Sequence, residues 1–235
     1  MDFQQYVFGA PYFGWLCRGV AMTLFIAALT TVFSAALSLL VLRGRTSRSR
    51  LWRCAGIVYV NVFRNMPLVP LLLFLSFGLP SLWRNATGTT FPKGCEFCLL
   101  IVALSFNTSA YLSEILRAGV AAIPLGQEEC ARTLGLPIAS VRWRVVYPQA
   151  FRIVAPAVVT RLIHNMKNSC LALVIPLPVD WMEVLGQAGR VAGQTFSWCE
   201  PLVFAAAVHL TLALVLSHYL NGWAVRQQLR CGVAA

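Results

Sequence analysis

Five stretches of roughly twenty predominantly apolar residues, separated by short charged or Pro/Gly-rich segments, constrain this chain more than any other feature. A run of that length crosses the ~30 Å hydrocarbon layer of a bilayer as a helix. In hydrocarbon every backbone N–H and C=O must be satisfied within the protein, which leaves helices and closed barrels. The runs read as five candidate helices, so the chain is expected to be an all-α integral membrane protein. Composition agrees: 58% of residues are hydrophobic and 11% charged, against about 25% charged in soluble domains. The 235 residues suit a single transmembrane domain over 1–235 and leave no room for a soluble second domain. The N-terminus lacks a charged segment followed closely by a small-residue cleavage site and reads as an uncleaved first segment.

The expected spans are about 20–42, 54–79, 97–120, 152–177 and 201–224. The second is interrupted by Phe63-Arg64-Asn65-Met66-Pro67. Pro67 removes a helix hydrogen bond, so a kink or break is expected there. Basic residues then orient the chain. Arg43, Arg45, Arg48, Arg50 and Arg53 separate spans one and two. Arg132, Arg142, Arg144 and Arg152 separate spans three and four, and Arg226 and Arg230 follow span five. The opposite loops hold Arg84, Lys93 and Arg190 among the acids Glu96, Asp180, Glu183 and Glu200. The bias places the N-terminus outside and the C-terminus inside. The segment of about 121–150 is then the largest cytoplasmic loop. The formal charge of +11 fits anchoring to lipid headgroups. It does not indicate nucleic-acid binding, because the arginines alternate with apolar spans.

Within that loop, Gly126 to Gly135 reads as a short helix with acids near its start, where the helix dipole favours them. Gly135 is placed to end it in a left-handed cap. Pro137 suits the first turn of a second short helix, Ile138 to Val146, expected to stop before Pro148. The result is a stiff knob. Cys130 and Ala131 are small enough for a partner surface to approach closely. From the residues alone, a headgroup-bound amphipathic connector is an equal alternative.

The spacing resembles the signature loop of bacterial ABC importer permeases for polar amino acids, E-A-A-x3-G-x9-I-x-L-P. Here the positions are Glu129, Cys130, Ala131, Gly135, Val145, Tyr147 and Pro148. Cys130, Val145 and Tyr147 depart mildly from the pattern. Phe63 to Leu68 resembles the family's F-R-x-x-P-L, and Ala110 to Gly119 its A-Y-x-x-E-x-x-R-x-G. Gly126-Gln127 resembles the G-Q that follows, and Lys167 to Leu171 its K-[DN]-[TS]-S-L. The last third is most similar to the glutamate/aspartate branch. The resemblance covers nearly the whole chain and implies a type I importer permease in the bacterial inner membrane. It implies that the loop of Gln127, Glu129, Cys130, Ala131, Gly135 and Pro148 docks into an ATP-binding subunit. It also implies two such ATPases, a second permease (identical or paralogous), and a periplasmic or tethered solute-binding protein.

Ionisable residues at membrane depth are costly and are candidates for function. Span four carries Arg161, His164, Asn165 and Asn168 at i, i+3, i+4 and i+7, one helical stripe. Span three carries Asn107, Thr108 and Ser109, then Glu114 and Arg117. Two readings are open. Either these groups line a substrate path, with Arg161 able to hold a carboxylate, or they pair with one another to fix helix packing. Glu114 and Arg117, nearer the cytoplasmic end, form a structural or gating ion pair. Lys167 lies off the stripe and reads as set toward a partner subunit. His209 and His218 read as packed or interfacial residues. Three histidines give no credible metal site, and Cys95-x-x-Cys98 is a lone pair without a second.

No phosphate-binding G-x4-G-K-[ST] loop and no catalytic constellation is present. The chain is expected to need no cofactor and to be a pore-forming subunit rather than an enzyme, with ATP hydrolysed by a partner. A stand-alone secondary transporter would call for a larger chain with inverted repeats. A non-transporting membrane subunit would not need a polar stripe at membrane depth.

Overall fold

The computed structural model describes residue 5 and residues 7–92 and 94–229, all without a strand. Lys93 and Arg230, two of the flanking charges above, lie outside the described residues. In chain order the helices are α1 (Tyr12–Arg45), α2 (Arg50–Asn65), α3 (Leu68–Thr87), α4 (Glu96–Ala121) and α5 (Leu125–Thr133). They continue with α6 (Ile138–Val141), α7 (Tyr147–Asn168), α8 (Val184–Thr195) and α9 (Cys199–Leu229).

Among the described residues, four helices are long and apolar enough to cross a membrane: α1, α3, α4 and Cys199–Gln227 of α9. They fall on the first, second, third and fifth expected spans. The fourth stretch forms α7, whose Arg161, His164 and Lys167 keep it outside that set. It is wedged between α4 and α9 and tightens into a 3₁₀ turn at Ser169–Val174. The second stretch divides at Met66-Pro67, as its proline demands. What was expected as one span of 54–79 is therefore two helices. Amphipathic α2 ends at Asn65, and apolar α3 runs on to Thr87, into the expected outer loop.

Two prolines that a regular helix would exclude are accommodated by the same device. A π turn at Phe74–Gly78 closes with the Leu79 N–H on the Phe74 carbonyl, one residue before Pro80. A second at Arg142–Val146 closes with the Tyr147 N–H on the Arg142 carbonyl, one residue before Pro148. Each widened turn shifts the hydrogen-bond register where the proline has no N–H to offer. This corrects the expectation that the second loop helix stops before Pro148: α6 runs through the π turn into α7, with Pro148 in its first turn. Pro137 stands at the N-cap of α6, just ahead of its first turn.

Helix α4 is the axis of the bundle. It packs against α1, α2 and α7 and is the most buried of the four candidate spans. Small polar residues make that possible, since they let helix backbones approach closely. Ser105, Thr108, Ser109 and Ser113 are buried on α4, and Thr23, Thr30, Ser34 and Ser38 on α1. Several of these hydroxyls donate back to carbonyls of their own helix, as Thr30 does to Ile26 at 2.8 Å, whereas the buried Ser105 hydroxyl has no partner among the described residues. An apolar cluster of Ile26, Leu72, Leu100 and Leu104 fills one end of the bundle.

Candidate functional site

The site begins at the break between α2 and α3. A continuous helix would have bonded the N–H of residue 67 to the Phe63 carbonyl, but Pro67 has none. Met66 then turns extended (φ −75°, ψ 124°), which also releases the Arg64 carbonyl. Two side chains one turn apart on α4 take up these acceptors. Asn107 Nδ2 donates to the Phe63 carbonyl at 2.9 Å, and the Tyr111 hydroxyl to the Arg64 carbonyl at 2.9 Å. Tyr59 adds a third link from α2 through its hydroxyl, 2.7 Å from Ser109 Oγ.

The same α4 residues hold the buried Arg161 of α7. Its guanidinium donates to Asn107 Oδ1 at 2.6 Å and to Thr108 Oγ1 at 3.3 Å. It lies 4.0 Å from the Tyr111 ring centre, an arrangement in which the ring face attracts the cation. Its Nε has no partner. Among the described residues no carboxylate pairs with Arg161. A cation at this depth, held only by neutral groups, retains hydrogen-bonding capacity for an anion.

The expected stripe of four residues divides here. Arg161 and Asn165 face inward. Asn165 Oδ1 accepts from Thr108 at 2.8 Å, and its Nδ2 donates to Thr30 at 2.8 Å and Thr31 at 3.3 Å. Asn165 is thus a tie between α1, α4 and α7. His164 and Lys167 are exposed and Asn168 is half-buried. Thr30, Thr31, Tyr59 and the Phe63 carbonyl were not singled out from sequence. The hydroxyl spacing along α1 was the available signal.

Glu114 pairs with Arg117 at 2.6 Å, as expected, and not with Arg161. It also accepts from Arg45 at the end of α1, a partner that sequence separation concealed. Gly56 makes room for that arginine: a Cβ there would meet Arg45 Cγ at 2.7 Å. Beyond α4 lies the loop knob. Gly135 adopts φ +83°, and its N–H bonds the Arg132 carbonyl at 2.9 Å. The Leu136 N–H bonds the Ala131 carbonyl at 3.3 Å, completing a Schellman cap on α5. Gln127, Glu129, Cys130, Gly135 and Pro148 are exposed. Ala131 is not: it turns into a small core with Ile123, Val141 and Val146, so its size serves packing of the knob rather than approach of a partner.

At the far end of the bundle Glu183 caps α8, accepting from the Leu185 and Gly186 N–H groups at 2.7 and 2.8 Å. Its Oε2 is 3.9 Å from His209 Nε2. Burial pushes its carboxyl up to about 7, against the two backbone bonds that favour the charged form. Cys95 and Cys98 stand at the start of α4 as free thiols. Among the described residues no cluster of His, Cys, Asp or Glu is placed to hold a metal.

Membrane-length helices packed around a buried cation, with a loop knob at one end, make this a helical bundle of the integral-membrane kind. The sequence model of binding-protein-dependent transport system inner membrane components matches residues 35–228, and the chain belongs to that family, among its amino-acid ABC permeases. It is 34% identical over 220 residues to an arginine transport system permease of Bacillus subtilis (strain 168), covering 94% of each chain. It is 25% identical to a putative glutamine transport system permease of Rickettsia conorii, covering 88% of this chain and 90% of the relative. In three dimensions it is similar to a chain from the crystal structure of an amino acid ABC transporter with histidines, with TM-score 0.79 and 29% identity over 92% of this chain and 95% of that one. The expectation of an amino-acid ABC permease in the inner membrane is met.

Proposed function

We propose that this permease carries a polar amino acid with an acidic side chain, glutamate, aspartate or a close relative, and that Arg161 receives a carboxylate of the substrate. The observation that carries this reading is the buried guanidinium with a free Nε and, among the described residues, no acidic partner. Asn107, Thr108 and Tyr111 hold it in one orientation, so that substrate meets a pre-organised donor. His164 and Asn168 present further polar groups from the same helix, along a face that lipid would not tolerate. Asn165 and Asn107 support the path by fixing the helices around it.

The chain works in this reading as one of two permease subunits, identical or paralogous, with five spans counting α7, the N-terminus outside and the C-terminus inside. The arginine tally favours that orientation. A solute-binding protein delivers substrate from the outer side. Two ATPase subunits engage the knob, with Glu129 at its exposed surface and Gly135 keeping it stiff. ATP favours the closed ATPase pair, and the knob transmits that preference to the bundle.

The test is uptake of labelled glutamate, arginine and glutamine by the reconstituted importer, wild type and Arg161→Gln. The reading expects glutamate uptake to fall at least tenfold in the variant, with the assembly intact. Equal loss for all three amino acids would leave Arg161 serving the α-carboxylate common to them and remove the acidic selectivity. Undiminished glutamate uptake would remove the site.

A further inference from the structure

A cavity of about 760 Å³ opens between the end of α1, α4 and the start of α7, away from the Arg161 site. Its volume lies in the roughly 300–1,000 Å³ range of ligand pockets. Arg43 and Arg48 line it from one side and Arg142 from the other. None of the three forms an ion pair among the described residues, whereas neighbouring Arg45 is taken by Glu114. Among the described residues no acidic one lines the cavity. Most of its remaining wall is apolar. Leu39 lies one helical turn from Arg43 into the apolar run of α1, and both Leu39 and Phe151 are exposed. Trp143, exposed at the rim, has the amphipathic ring that settles at headgroup depth.

We infer that this cavity is a binding site for an anionic glycerophospholipid. The phosphodiester lies among Arg43, Arg48 and Arg142, and an acyl chain runs over Leu39 and Phe151. Charge complementarity fixes the sign of the ligand, and the apolar wall fixes its amphiphilic form. A free phosphate would leave that wall uncovered, and a cytosolic protein would not reach the membrane-depth leucine. Basic pockets between membrane helices recognise anionic headgroups in this way. The site joins α1 to the root of the loop knob through a bound lipid. Its assignment to the inner leaflet rests on the orientation proposed above, but its existence does not.

The experiment is native mass spectrometry of the purified importer in detergent, titrated with phosphatidylglycerol and with phosphatidylcholine. It compares wild type, Arg43→Ala/Arg142→Ala, Arg43→Lys/Arg142→Lys, and Arg84→Ala, at the opposite end of the bundle, as a basic control. Phosphatidylglycerol should bind wild type in preference to phosphatidylcholine. The double alanine variant should lose roughly 25-fold in affinity, about fivefold for each arginine. The lysine pair should retain most of the binding, and Arg84→Ala should match wild type. Equal binding of the two lipids, or an unchanged double alanine variant, overturns the site. Displacement of the lipid by glycerol 3-phosphate alone would assign the arginines to free phosphate and overturn it as well. No ATP or amino acid enters the measurement, so failed uptake with intact lipid binding would count against the transport reading only.

Discussion

Asn107 Oδ1 accepts from Arg161 at 2.6 Å while the same amide's Nδ2 donates to the Phe63 carbonyl at 2.9 Å. One side chain thus couples the helix break at Pro67 to the buried cation. The break supplies an acceptor that fixes the amide orientation, and the fixed amide presents its oxygen to the guanidinium. Asn107→Leu removes both bonds and leaves the guanidinium without its shortest contact. We expect a loss of about 1–3 kcal/mol in stability, read as a lower melting temperature in detergent, with uptake abolished. Unchanged uptake would show that Arg161 needs no such positioning.

Pro67→Ala restores an N–H to the position facing the Phe63 carbonyl. The helix is expected to extend across the present break and to strip Asn107 Nδ2 of its acceptor. Helicity by circular dichroism should hold or rise slightly while uptake falls. A variant that transports normally would mean that the break serves folding alone.

Arg161→Met replaces a buried, unpaired cation with an apolar side chain of similar length. Removal of the desolvated charge offsets the donor that Asn107 Oδ1 gives up. The melting temperature should be retained or raised, and transport lost. A marked fall in stability would instead identify Arg161 as a packing element held by Asn107 and Thr108.

At the knob, Gly135 occupies a left-handed conformation that costs other residues about 1–2 kcal/mol. Gly135→Asn, which tolerates that region, should keep uptake near wild type. Gly135→Pro cannot adopt φ +83° and should abolish uptake while membrane insertion survives. Glu129→Lys should reduce recovery of the ATPase subunit in a pull-down without altering the fold. Full recovery would remove Glu129 from the docking surface.

Glu183 gives a pH dependence of definite sign. Its folded-state carboxyl is raised to about 7 from an ordinary 4.5, so the folded protein holds a proton that the unfolded chain has lost. That contribution to stability is complete below about 4.5 and disappears as pH rises through about 7. Glu183→Gln keeps an acceptor for the α8 N-terminus and removes the buried charge. The variant should therefore melt above wild type at pH 8 and close to it at pH 4. Equal melting at both would mean that Glu183 is not charged in the folded protein at pH 8.

The apolar runs by themselves determined that the chain is helical and membrane-embedded, because a run of about twenty apolar residues satisfies its own backbone in hydrocarbon as a helix. Pro67 located the break between α2 and α3, since a missing N–H is a local fact. Gly135 located the left-handed cap for the same reason. The i, i+3 spacing announced the Glu114–Arg117 pair. Tertiary structure decided the rest. Pro148 did not end its helix, because a π turn, invisible to residue periodicity, shifted the register beneath it. Arg45 reached Glu114 from 69 residues away, and Asn165 was drawn to Thr30 from 135 residues away. Helical spacing put Arg161, His164, Asn165 and Asn168 on one stripe, but it could not say which of them meet neighbouring helices. Burial between α1, α4 and α7 turned Asn165 into a structural tie and left Arg161 as a cation without an anion among the described residues. Those distinctions depend on where three helices meet, and no single segment contains that information.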